Sequence, residues 1–225
     1  MTTESPPRGA PSLPILLATR SEGKLRELRP IFERAGLPVI DLQEAGIAET
    51  AAEAEVERFE TFEENALAKA RYFQRLSGYS VVADDSGLEV EALAGAPGVH
   101  SKRWSGRRDL AGQALDDANN ERLVRLLARA TNRRARYVCV AAYADGTWGV
   151  TACGVTEGVV MHVARGAEGF GYDPFFESVE LGRTFGEATR EEKEEVSHRG
   201  RAMRSLIPMI AVIRSGVAAP LAWPV

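Results

Sequence analysis

The chain has 225 residues, 44% of them hydrophobic, which is enough to close a full core and points to one domain rather than two small ones. Its 28 basic and 32 acidic side chains leave a net charge of -4, so it lacks the positive footprint of a protein that tracks a nucleic-acid polymer. A nucleic-acid-related substrate would be a free nucleotide. No apolar run approaches the roughly 20 residues of a membrane span. The opening stretch, with Pro6, Pro7, Pro11 and Pro14, lacks the apolar segment of a signal peptide. We expect a soluble, cytoplasmic protein with a disordered N-terminal tail at 1–13, a single domain at 14–215 and a C-terminal tail at 216–225. Cys139 and Cys153 sit in strand-like apolar stretches without metal-ligand spacing and read as buried, reduced thiols.

Ile15 to Ala18 reads as a first buried strand, followed from Gly23 by the helical spacing Leu25, Leu28, Ile31, Phe32, Ala35, which Gly36 stops. Val39-Ile40 resumes extended structure, giving a β-α-β opening. Residues 43–58 are acidic and Ala-rich and show no clear stripe. Thr61 with Glu64 forms a cap signal for a helix on Phe62, Ala66, Ala70 and Phe73 that ends near Gly78. Val81 to Ala83 reads as a short buried strand that Ser86-Gly87 turns back before Leu88, Val90 and Leu93. Gly95 to Gly98 is a loop, and residues 111–130 carry a helix through Leu115, Ala118, Leu123, Leu126 and Leu127. Arg136 to Tyr143 and Thr147 to Val160 suggest a long hairpin across Asp145-Gly146, the antiparallel part of the sheet. A Gly- and aromatic-rich loop at 166–176 precedes helical segments from Thr189 to Ile213, interrupted near Ser197 to Gly200. The fold class is α/β: a central twisted mixed β-sheet with flanking helices, in two lobes around a substrate cleft.

Four pieces carry chemistry. Asp84-Asp85-Ser86 places hard oxygen donors where an apolar run stops, which suits Mg²⁺; a capped turn bonding its own amides is the plainer alternative. Thr19-Arg20-Ser21-Glu22-Gly23-Lys24 opens a helix, where free amides and the dipole can hold phosphate with Lys24 as counter-charge. It is not a GxxxxGK[ST] loop, and a solvated lysine in an ordinary first turn is the competing reading. Phe170-Gly171-Tyr172-Asp173 sets aromatics between glycines, and a purine could stack on Phe170; Phe175 and Phe176 read as packing. Lys193 with Ser197-His198-Arg199-Gly200 is a cationic, hydrogen-bonding set able to read polar base edges or a phosphate.

In this order and spacing, over about residues 14–215, the pieces resemble the inosine triphosphatase family, the Ham1-like non-canonical purine nucleoside triphosphate pyrophosphatases. Further marks are Thr61-Phe62-Glu63-Glu64-Asn65-Ala66 with Lys69-Ala70, Gly95-Ala96-Pro97-Gly98-Val99 and Thr189 through Lys193. The resemblance implies Mg²⁺-dependent hydrolysis of ITP, dITP and XTP to the monophosphate and pyrophosphate, by a homodimer. Matched by motif, Asp85 is the metal-linked general base, Ser86 a substrate contact, Thr19 to Lys24 the phosphate loop, and Lys69 a helix residue facing the triphosphate. Phe170, Gly171, Tyr172, Asp173, Lys193, His198 and Arg199 would form the base and substrate pocket. Asp84 or Glu57 would hold a second ion or its water. The chain departs from the family at Ser21, where asparagine is usual, at Lys102 in a Ser-Ala-Arg stretch, and around Glu57, which follows Val56 in place of the usual acidic run. Rival readings are a Maf-like pyrophosphatase of other base specificity, against which His198-Arg199 argues, and a nucleotide sensor without catalysis. A serine hydrolase on Ser86 lacks the GxSxG elbow.

Overall fold

A computed structural model of the chain describes residues 13–216 and 223–224; of the tails expected at 1–13 and 216–225, residues 1–12, 217–222 and 225 lie outside the described residues. The elements are β1 (Ile15–Leu17), α1 (Glu22–Arg34), β2 (Val39–Asp41), α2 (Phe62–Ser77), β3 (Val81–Val90), α3 (Gly112–Leu126), β4 (Arg134–Ala144), β5 (Trp148–Val160), β6 (Phe176–Ser178), β7 (Arg183–Thr184), α4 (Arg190–Val196), α5 (His198–Arg214) and β8 (Trp223–Pro224). They form one mixed sheet in the order β2-β1-β3-β4-β5-β6-β7, with β8 against β5. Strands β2, β1 and β3 run parallel, as a β-α-β opening requires, and the rest are antiparallel. The expected α/β class and mixed sheet are thus present.

The caps fall where the local chemistry sets them. Thr61 accepts from the Glu64 amide, and Gly78, at φ 74, closes α2 in the left-handed conformation that glycine takes without steric cost. Ser197 accepts from the Gly200 amide and starts α5 directly after α4. The unassigned stretch 43–58 contains a short 3₁₀ turn at Ala51–Glu55, started by a Thr50–Glu53 capping box.

Three cores cover the sheet. One face packs on α1 and α5 through Leu28, Phe32, Met203, Leu206 and Ile210, and the other on α2 through Phe62, Ala66, Ala70 and Phe73. A third core, with Leu88, Leu123, Tyr137, Phe176 and Phe185, fills the far lobe that β3, β4 and β5 extend into. Phe176 is fully buried, as read from the sequence.

Two readings are corrected. Asp84-Asp85-Ser86 is not a strand end: β3 runs unbroken for ten residues, pairing Val81 with Ala144 through Val90 with Ala135. The hairpin partner holds the ladder through Ser86-Gly87, and this tertiary pairing overrides a local turn signal. Cys153 is exposed, because it falls, like Glu157, on the side of β5 that stays partly open to solvent, whereas Cys139 is buried as expected.

Candidate active site

Strand β1 ends at Leu17, opposite Val82, so from Ala83 onward β3 has an open edge on that side. The chain leaving β1 turns there into α1, which brings the Thr19–Lys24 loop beside Asp84 and Asp85. This step in the sheet is the crevice at the carboxyl end of a strand where α/β proteins bind ligands. Ser21 caps α1, its hydroxyl accepting from the Lys24 amide at 3.4 Å while its own amide donates to Thr19 Oγ1 at 3.1 Å. The first-turn amides of Glu22 and Gly23 have no intrahelical acceptors, the arrangement in which a helix start can bind an anion. Glu22 is exposed. Arg20 turns away, donating to Glu53 at 2.7 Å and to the Ile47 carbonyl at 2.8 Å, so it braces the 43–58 segment.

Neighbouring strand residues face opposite ways, and the two aspartates divide accordingly. Asp85 points to the α2 face, where the Asn65 amide donates to its Oδ2 at 3.0 Å. Asn65 is itself locked by two bonds to the Phe59 backbone. Burial raises the Asp85 pKa and the Glu57 carboxylate adds to this, against the opposing pull of Lys69, Lys24 and the Asn65 bond. Lys69, buried on α2, is paired with Glu57; burial alone would lower its pKa, but Glu57, Asp84 and Asp85 together raise it.

Asp84 points to the α1/α5 face and is almost fully buried. Its Oδ2 receives Lys24 Nζ at 3.0 Å, Arg199 Nε at 3.2 Å and the Ser86 hydroxyl at 3.2 Å. Burial pushes this carboxyl up, yet Lys24, Arg199 and Lys69 outweigh it and hold it well below the ordinary range.

The chain of charges continues through Glu27. Arg199 and Lys193 both donate to it, Lys193 at 2.6 Å, and Lys193 also reaches Asp173 Oδ2 at 2.6 Å. Burial raises the Glu27 carboxyl, but the two cations bring it down to about 2. Asp173 in turn accepts from the Phe170 amide at 2.7 Å, so the aromatic loop, α1, α4 and α5 share one ionic network. The Phe170 ring lies 5.0 Å from Lys193 Nζ and 5.7 Å from the Arg199 guanidinium. It also covers Gly23, where a Cβ would meet the ring at 2.6 Å. Gly171 is tied to Asp116 and Asn120 of α3, and the buried Tyr172 hydroxyl donates to the Ser101 carbonyl at 2.8 Å.

His198 stacks flat on Tyr137, with ring centroids 4.5 Å apart. Burial, with Arg199 and Lys193 acting in the same sense, lowers its pKa well below the ordinary 6.5, so the imidazole stays neutral at pH 7. Unfolding frees it to take a proton, so this histidine costs stability as pH falls below about 6.5. We expect the thermal midpoint to drop by roughly 2–4 °C between pH 6.5 and 5.5, and His198→Asn to flatten that slope. An unchanged slope in calorimetry of the variant would exclude the effect.

The crevice thus gathers Thr19, Ser21, Gly23, Lys24, Lys69, Asp85, Ser86, Phe170, Lys193 and Arg199, while Arg20 and Glu22 lie outside it. Sequence reasoning passed over Glu27 and gave no role to Asn65 and Lys102, which it named only in setting out the resemblance. Glu27 and Asn65 look like solvated helix positions until the fold buries them. Lys102 lies on the turn that packs against Gly87, where a Cβ would meet the Gly98 carbonyl at 2.3 Å. Its ammonium titrates below the ordinary lysine range, through partial enclosure and the nearby charges of Lys24, Lys69 and Arg103.

A mixed α/β sheet with a stepped edge thus brings a helix start, lysines from α1 and α2 and a buried carboxylate together in one cleft. The chain belongs to the Ham1 family, whose model matches residues 15–209. A dITP/XTP pyrophosphatase of Burkholderia pseudomallei is 43% identical over 204 residues, covering 89% of this chain and 94% of that protein. One of Streptomyces coelicolor is 40% identical over 211 residues, covering 87% and 96%. Among solved structures, a HAM1 protein from Coxiella burnetii superposes with a TM-score of 0.74 at 33% identity, covering 88% of this chain and 98% of that one.

Proposed function

We propose that this protein hydrolyses the non-canonical purine nucleoside triphosphates dITP, ITP and XTP to the monophosphate and pyrophosphate, removing them from the nucleotide pool. The observation that carries the reading is the meeting at one open strand edge of the α1 amides, Lys24 and Lys69 with a carboxylate, Asp85, whose pKa burial has raised. The first three suit a polyphosphate, and the fourth suits a general base working near neutral pH. Relatives named dITP/XTP pyrophosphatase support the substrate class.

Asp85 takes the proton of a water that attacks the α-phosphorus. Lys24, Lys69 and the α1 amides hold the charge that builds on the departing pyrophosphate, so they act more on the transition state than on the ground state. Phe170 provides a face for the base. His198, kept neutral, and backbone amides of the pocket are the candidate readers of a 6-keto oxygen, because Arg199 already commits N–H donors to Asp84, Glu27 and Ser86. An adenine amino group would set donor against donor, a mismatch that such sites reject by about 10⁴-fold.

The reading implies Mg²⁺, and the donor set fits it. Among the described residues Asp85 accepts from the Ser86 and Asn65 amides and keeps free lone pairs, and Glu57 lies within electrostatic reach of it. When bound, the ion would neutralise phosphate charge and acidify a water. The same reading makes the enzyme a cytoplasmic homodimer, which sedimentation tests; no helix among the described residues is long and apolar enough to cross a membrane.

Hydrolysis of ITP in ¹⁸O-water tests the reaction. The label is expected in the monophosphate; label in the pyrophosphate alone would place attack on the wrong phosphorus. Lys102→Ala is expected to raise KM for ITP about 3- to 10-fold with little change in kcat, since it removes a cation that lies within electrostatic reach of Lys24 and Lys69. An unchanged KM at low salt would remove Lys102 from the site.

A further inference from the structure

Asp84 lies on the opposite face of β3 from Asp85, and Ser86 touches both, its hydroxyl donating to Asp84 and its amide to Asp85. One oxygen of Asp84 collects Lys24 from the start of α1, Arg199 from the start of α5 and the Ser86 hydroxyl. The other, Oδ1, is buried with no partner among the described residues. A buried carboxylate satisfied on one side only is unfavourable by itself and persists where the surroundings dictate it. Here three groups converge on it from two helices and a strand. Lys24 carries a flexible stem and Arg199 a rigid fork, and two cations drawn to a single oxygen would repel each other without it.

We propose that Asp84 is a positioning residue that holds Lys24 and Arg199 at a fixed separation by sharing one carboxylate oxygen between them, and that incoming phosphate draws Lys24 off this oxygen. The proposal rests on the pyrophosphatase reading above, in which Lys24 serves the phosphates. The carboxylate therefore does two opposing things: it aligns the two cations, and it competes with the polyphosphate for Lys24. Removing its charge should tighten polyphosphate binding and slow turnover together, a combination that simple loss of packing does not produce.

The test compares wild type, Asp84→Asn and Asp84→Glu. With ITP, Asp84→Asn is expected to lower kcat about tenfold or more while KM falls or stays level. In calorimetry without turnover, tripolyphosphate is expected to bind Asp84→Asn at least about threefold more tightly than wild type. Asp84→Glu restores the charge one methylene out of place, so tripolyphosphate affinity should return towards wild type while kcat stays low. If Asp84→Asn bound tripolyphosphate no more tightly, or kept full kcat, the proposal would be overturned. If wild type turned over no nucleotide, the pyrophosphatase reading would fail separately, and the tripolyphosphate comparison would still decide the role of Asp84. Should Asp84→Asn not fold, Asp84→Glu carries the decision: full kcat in that variant would contradict placement by the carboxylate.

Discussion

Asp85→Asn is expected to lower the turnover of ITP by at least about 10²- to 10⁴-fold, the contribution of a positioned general base, with loss of metal binding adding to it. Asparagine matches the size of aspartate, so the strand pairing of Asp85 with Val140 is untouched, and Lys69 keeps Glu57 as its partner. The variant should therefore fold. The charge it lacks sits where burial raises the carboxyl pKa, ahead of the opposing Lys69 and Lys24. That sign has its own consequence. A buried acid with a raised pKa must be ionised to act as base, so kcat/KM should fall as pH drops through a value above the ordinary aspartate range. In the folded state the ionised form is the unfavourable one, and Asp85→Asn trades that cost against the loss of one acceptor for the Asn65 or Ser86 amide, so the net change in stability at neutral pH should be small. Circular dichroism and pyrophosphate release on the same sample check both halves. A folded Asp85→Asn with full activity would remove Asp85 from the chemistry.

Gly154→Ala is expected to have the second largest effect, at a position that touches no substrate. Strand β5 crosses beneath the first turn of α5 there, and a Cβ on residue 154 would lie 2.1 Å from the His198 carbonyl and 2.6 Å from the Ala202 amide. Both are backbone atoms, so relief requires α5 to move by about 1 Å, a displacement that can cost roughly 10²-fold in rate when it misplaces binding groups. His198 and Arg199 ride on that turn, and Arg199 carries its displacement into Asp84, Glu27 and Ser86. Overpacking of this kind destabilises by about 1–3 kcal/mol. Steady-state kinetics and thermal melts should show both losses. A variant with wild-type kcat would mean that α5 absorbs the methyl group elsewhere.

How far the sequence carried the fold depends on whether the signal was local. Thr61 with Glu64, Ser197 with Gly200, and Asp145-Gly146 between two β-rich runs each specify their own geometry, and the caps and hairpin form there. Ser86-Gly87 gives an equally clear local turn signal, and β4 overrules it by pairing along the whole of β3. The role of Asp84 was hidden for the same reason. Adjacent carboxylates look like one metal site until the strand's two-residue period sends them to opposite faces, one to Asn65 and the other to Lys24 and Arg199. Glu27 gave no signal at all, since a glutamate among Arg26, Arg29 and Glu33 on α1 reads as a solvated face. Only the packing of α4 and α5 buries it between Lys193 and Arg199. The motif residues were legible, and the polar groups that orient them were not, because burial is a tertiary property.

The most direct test of the central claim is pyrophosphate release from dITP, XTP, dGTP and dATP, each with Mg²⁺ and each with the ion chelated. The account predicts rapid release from dITP and XTP, slower release from dGTP by a factor the panel itself will set, release from dATP lower by about 10⁴-fold, and none without the divalent cation. Equal rates on dITP and dATP, or full activity in chelator, would contradict it.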